Sequence, residues 1–95
     1  MALFVAICRD IENGLALRQS VRERHLAHVR ALPPGLIRLA GPFLDEAGEM
    51  CGSMFIFDAE DRAAIDAYFA KDPYVTAGLF AEIDIRPWRL TIPWS

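Results

Sequence analysis

At 95 residues, 54% of them hydrophobic, the chain is expected to form one domain around one core, spanning residues 1–95 without a linker. Ten Lys and Arg against 13 Asp and Glu give a formal net charge of −3 with no long run of like charge, which argues against a nucleic-acid partner. The apolar run Ala2 to Cys8 is too short to cross a bilayer and no basic segment precedes it, so a soluble cytoplasmic protein with no membrane partner is expected.

In chain order, Leu3, Phe4, Val5 and Ile7 stand with little alternation and predict a central strand over Ala2 to Cys8, covered on both sides. Asn13 is placed to cap a long helix from Gly14 to about Leu32, rich in Leu, Ala and Arg and stopped by Pro33-Pro34-Gly35. Leu36 to Phe43 predicts a second strand, with Gly41-Pro42 ending regular pairing, and a hairpin over Asp45 to Glu49 leads into a third at about Met50 to Phe57. Asp58 is the expected cap of a second helix, Ala59 to Ala70. Asp72-Pro73-Tyr74 opens a short helical piece ending near Gly78, because proline suits a first turn and aspartate the cap before it. Leu79 to Trp88 alternates Ile83 and Ile85 with Glu82, Asp84 and Arg86, the pattern of a half-buried strand. The order βαββαβ is the ferredoxin-like, split βαβ arrangement of an α+β fold with an antiparallel sheet. The tail, with Trp88, Ile92, Pro93 and Trp94, is apolar enough to dock on its own domain or on a partner.

Cys8 and Cys51 lie in apolar runs without metal-ligand spacing, so reduced, buried thiols are expected, with neither a disulfide nor a metal. On the long helix, 100° steps gather Leu15, Leu17, Val21, Leu26, Val29 and Leu32 in one arc, and His25 falls near its middle. Arg18 and Arg22 share that half, while His28 sits at its margin, structural or exposed. Two readings compete for this stripe. Either the arginines snorkel and the histidine finds a backbone partner, or the residues line a cleft that binds an anion and moves a proton. A cleft needs a second wall, and Asp72 with Tyr74 can supply it, the aspartate orienting the imidazole. Ser53, the hydroxyl inside the third strand, either packs as a small residue or binds a ligand; no nucleophile elbow surrounds it.

These residues together make the sequence similar to the YCII-related family, of the dimeric α/β-barrel type. The resemblance spans nearly the whole chain and rests on Arg18, Val21-Arg22 and His25-Leu26, on Ala40-Gly41-Pro42, on Gly52-Ser53, on Asp72-Pro73-Tyr74-Val75 with Ala77-Gly78, and on Arg86-Pro87-Trp88. It departs from the family at Glu23-Arg24, where relatives often carry a proline before the histidine. The resemblance implies a homodimer with a pocket in each subunit, a catalytic histidine and aspartate at His25 and Asp72, and chemistry on small, aromatic or chlorinated compounds without a cofactor. Arg18 and Arg22 are then expected to hold an anionic ligand, with Ser53 and Tyr74 adding hydrogen bonds, in an elimination, isomerisation or related lyase or hydrolase step. The alternative is an accessory domain that binds an anionic metabolite in the same pocket without turnover.

Overall fold

A computed structural model describes residues 2–93. Four strands, β1 (Ala2–Asp10), β2 (Ile37–Leu44), β3 (Met50–Ala59) and β4 (Phe80–Trp88), form one antiparallel sheet in the order β2-β3-β1-β4. The helices are α1 (Leu15–Arg30), α2 (Arg62–Lys71) and the single turn α3 (Pro73–Thr76). This is the ferredoxin-like α+β arrangement expected from the element order. None of the described helices is long and apolar enough to cross a membrane.

The core forms where the helices cover one face of the sheet. Ala6 and Cys8 of β1 and Phe55, Phe57 and Ala59 of β3 point into it and meet Ile65, Tyr68 and Phe69 of α2. Phe55 and Phe57 are almost fully buried, and burying each contributes about 1.5–3 kcal/mol. Phe69 meets both edge-on, at 5.4 and 5.6 Å between ring centroids. Ile83 and Ile85 of β4 pack against the same cluster, as their alternation implies. A smaller cluster, Val21, Tyr74 and Leu79, joins α1 to α3. Gly52 lets β3 approach β1, since a β-carbon there would strike the Cys8 carbonyl oxygen. Gly78 leaves α3 with φ at 80°, a conformation that suits glycine.

Several boundaries differ from expectation. The cap of α1 is Gly14, while Asn13 adopts a left-handed φ of 57°, and the helix ends at Arg30 rather than Leu32. Strand β2 runs on through Gly41 and Pro42, which pairs with Ser53. As an edge strand it tolerates a residue without an N–H. Strand β3 continues past Asp58 to Ala59, paired with Ala2, so the cap of α2 is Asp61, whose side chain accepts from the Ala64 amide. The centre of the sheet is covered on one side only: Ile7, Leu39, Phe43, Met54 and Trp88 are exposed on or beside the other. Cys51 is exposed rather than buried, whereas Cys8 lies in the core. In the tail Leu90 is half-buried and Ile92 is 72% exposed; Trp94 lies outside the described residues.

Candidate active site

The inward stripe of α1 is the polar line itself. Arg18, Val21 and His25, spaced three and four apart, are the buried residues of the helix, while Leu17, Leu26 and Val29 are partly buried beside them. Facing them, Asp72 ends α2 and caps α3, its Oδ1 accepting from the Tyr74 amide at 2.9 Å. His25 Nδ1 lies 2.8 Å from the same oxygen. An ionised carboxylate can only accept, so Nδ1 carries the proton, and in the neutral form of the ring the lone pair is on Nε2. Tyr68 closes the arrangement from α2, its hydroxyl donating to Asp72 Oδ2 at 2.8 Å.

Asp72 is completely buried. Burial alone pushes its carboxyl up, but the hydrogen bond and charge of His25, the Tyr74 amide and the Tyr68 hydroxyl outweigh it and hold the group below its ordinary 3.8. The Tyr74 ring stacks on the imidazole at 4.0 Å between centroids and 15° between planes. Burial raises the Tyr74 hydroxyl against the opposing pull of the Arg18 and Arg22 charges.

The imidazole opens on a cavity of about 250 Å³ between α1 and the sheet. Leu26, Val29, Pro42, Phe55 and Tyr74 give it apolar walls, and His25, Arg18, Arg22 and Ser53 supply polar groups. A wider hollow of about 620 Å³, lined by residues 9–15 with Asp45, Glu49 and Cys51, contains no histidine.

All six residues singled out from sequence meet at this cavity or at its back wall, but the two arginines differ. Arg18 is buried and its guanidinium is taken by Asp10, with Nε and Nη2 donating to the two carboxylate oxygens at 2.8 Å each. Nη2 also donates to Ser53 Oγ at 2.8 Å, so the serine hydroxyl binds protein. Although burial disfavours its charge, Asp10 more than compensates and raises the Arg18 pKa. Arg22 is exposed, lines the cavity, and has no carboxylate partner among the described residues. His28, half-buried, stacks on Tyr68 at 5.3 Å.

Sequence reasoning missed Asp10 and Tyr68. Asp10 continues the inward alternation of Ala6 and Cys8 on β1, and Tyr68 stands one helical turn before Asp72; both were findable by extending the periodicity to polar residues. Among the described residues, no group of three or more His, Cys, Asp or Glu could hold a metal ion.

The family model for the YCII-related domain matches residues 2–89, nearly the entire chain. The chain belongs to the YCII-related domain family. An uncharacterised family relative from Haemophilus influenzae is 36% identical over 94 residues, covering 90% of this chain and 95% of the relative. Protein YciI of Escherichia coli is 33% identical over 94 residues, covering 92% and 96%. Among solved structures, 5-chloro-2-hydroxyhydroquinone dehydrochlorinase from Burkholderia phenoliruptrix, in complex with 2,5-dihydroxybenzoquinone, matches with a TM-score of 0.86 and 28% identity over 98% of this chain and 99% of its own. An antibiotic biosynthesis monooxygenase shares the fold at a TM-score of 0.58 and 16% identity, over 96% and 99%.

Proposed function

We propose that this YCII-related protein is a small-molecule enzyme in which His25 moves protons between substrate atoms and Asp72 fixes its tautomer, with no cofactor required. The observation that carries the reading is the 2.8 Å contact between His25 Nδ1 and a fully buried carboxylate, on a ring that lines a cavity. Such a ring accepts a proton at Nε2, and the resulting imidazolium is stabilised by the carboxylate until it returns the proton.

The cavity favours a substrate of one ring. At about 250 Å³ it falls below the roughly 300–1,000 Å³ of sites that hold drug-sized ligands. Its apolar walls suit a planar ring, and Arg22, lacking a carboxylate partner among the described residues, suits a phenolate, enolate or carboxylate substituent. Resemblance to a dehydrochlorinase supports elimination. Net loss of HCl from a chlorinated hydroxyhydroquinone balances when one hydroxyl proton moves to the chlorine-bearing carbon, the C–Cl bond breaks to release chloride, and a second hydroxyl proton is lost, leaving a hydroxyquinone; moving those protons is work for one acid/base group. The protein is a homodimer in this reading, its partner covering the apolar sheet face around Ile7, Leu39 and Met54.

Calorimetry with 2,5-dihydroxybenzoquinone and spectrophotometry with 5-chloro-2-hydroxyhydroquinone test the proposal. Wild-type protein is expected to bind the first and to consume the second with release of chloride. Arg22→Gln is expected to weaken binding by about 1.5–3 kcal/mol, the value of a charge-assisted hydrogen bond. Binding without turnover of this or any related hydroxylated ring would instead support a ligand-binding accessory domain.

A further inference from the structure

Arg18 is only 2% exposed, and its charge is answered within the protein. The side chains of Arg18 and Asp10 are 3% and 4% exposed, and their paired hydrogen bonds fix the plane of the guanidinium as well as its position. Although Arg18 lines the cavity, the Asp10 carboxylate offsets its charge, so it pulls on an incoming anion less than an unpaired arginine there would. An aromatic ring also lies against it: Arg18 Cζ stands 4.7 Å from the centroid of Tyr74, the ring that stacks on His25. Arg18 and His25 are seven residues apart, about 10.5 Å along one face of α1, and the Tyr74 ring is in contact with both.

We propose that Asp10 and Arg18 form a positioning pair, acting through Tyr74 to set the plane of the His25 ring. The hydrogen bond to Asp72 holds the imidazole at Nδ1, and Phe55 meets the ring edge-on at 6.2 Å between centroids, but the hydrogen bond by itself does not stop the ring rocking about that bond, a motion that would swing Nε2 across the cavity. A face-to-face contact removes this freedom. Tyr74 supplies that contact, its backbone amide held by Asp72 and its ring by the guanidinium, which the Asp10 carboxylate anchors to β1. The catalytic meaning of the pair rests on the acid/base role of His25, since displacing a reacting group by about 1 Å can cost 10²-fold in rate. The placement of the ring does not depend on that role.

Nuclear magnetic resonance of the isotopically labelled full chain, with no ligand added, reads the ring directly. Stacking against Tyr74 displaces the carbon-bound ring protons of His25 upfield. His28, stacked on Tyr68, serves as an internal reference. In Arg18→Met and Asp10→Asn, each with an otherwise native amide spectrum, His25 is expected to lose this upfield displacement while His28 keeps its shifts. A pair that contributes only stability would lower the melting temperature and leave the His25 protons in place, which would overturn the proposal. Should Arg18→Met fail to fold, Asp10→Asn, equal in size and still able to accept one hydrogen bond, decides the question. Because this readout needs no turnover, its failure is distinguishable from failure of the acid/base reading.

Discussion

Asp72 has no exposure to water and accepts three hydrogen bonds, from His25, from the Tyr74 amide and from Tyr68. Its carboxyl titrates below 3.8 in the folded protein, so the folded state favours the ionised form. The stability this provides is fully present above the unfolded value and is lost as pH falls through the folded one. Asp72→Asn is therefore expected to cost about 1–3 kcal/mol near neutral pH. In urea titrations the gap between wild type and variant should narrow as pH drops below about 4. A second expectation concerns the thiols. Burial pushes Cys8 up to about 12, with Asp72 adding to the effect, whereas Cys51 is exposed. A thiol reagent at pH 7 should modify one cysteine in the folded protein and two after denaturation, as counted by intact mass. The residues of the site were legible in the sequence to different depths. Helical spacing placed His25 and Arg18 inward, but the partner that neutralises Arg18 is on another element, and no spacing within the helix could reveal it.

The elements were legible because their signals are local. Apolar periodicity, Pro33-Pro34-Gly35 and Asp72-Pro73 mark them without reference to the rest of the chain. Their ends were less so, because pairing with a neighbouring strand decides them. Asp58 looks like a helix cap until β1 pairs with β3 as far as Ala59, which moves the cap to Asp61. The two aspartates should accordingly differ. Asp61→Ala is expected to destabilise the protein by about 1 kcal/mol, a typical cap loss, as measured by chemical denaturation. Asp58, whose 3.5 Å ion pair with Arg38 is largely solvent-accessible on the arginine side, should lose no more than about 0.5–1 kcal/mol on the same substitution. Likewise Gly41-Pro42 signals an end to pairing in the sequence, but at the sheet edge β2 continues through it, and this brings Pro42 to the cavity.

At the scale of the molecule, the sheet has helices on one face and Ile7, Leu39, Phe43, Met54 and Trp88 exposed on or beside the other. The sequence showed the apolar surplus but not its location, since one chain can cover only one face of a four-stranded sheet with so few helices. If a second copy covers this face, light scattering should give twice the chain mass of 10.6 kDa. Met54→Asp should shift the protein toward the monomer by placing a charge in the interface. The cavity lies on the opposite, helical side of the sheet, so the acid/base chemistry can be tested independently of assembly. The most direct test is the rate of chloride release from 5-chloro-2-hydroxyhydroquinone by wild type, His25→Ala and Asp72→Ala, with binding of 2,5-dihydroxybenzoquinone measured in parallel. Wild type should release chloride, and both variants should slow by about 10²- to 10⁴-fold while His25→Ala still binds. Undiminished release by both folded variants would contradict the assignment of His25 and Asp72 as the acid/base pair.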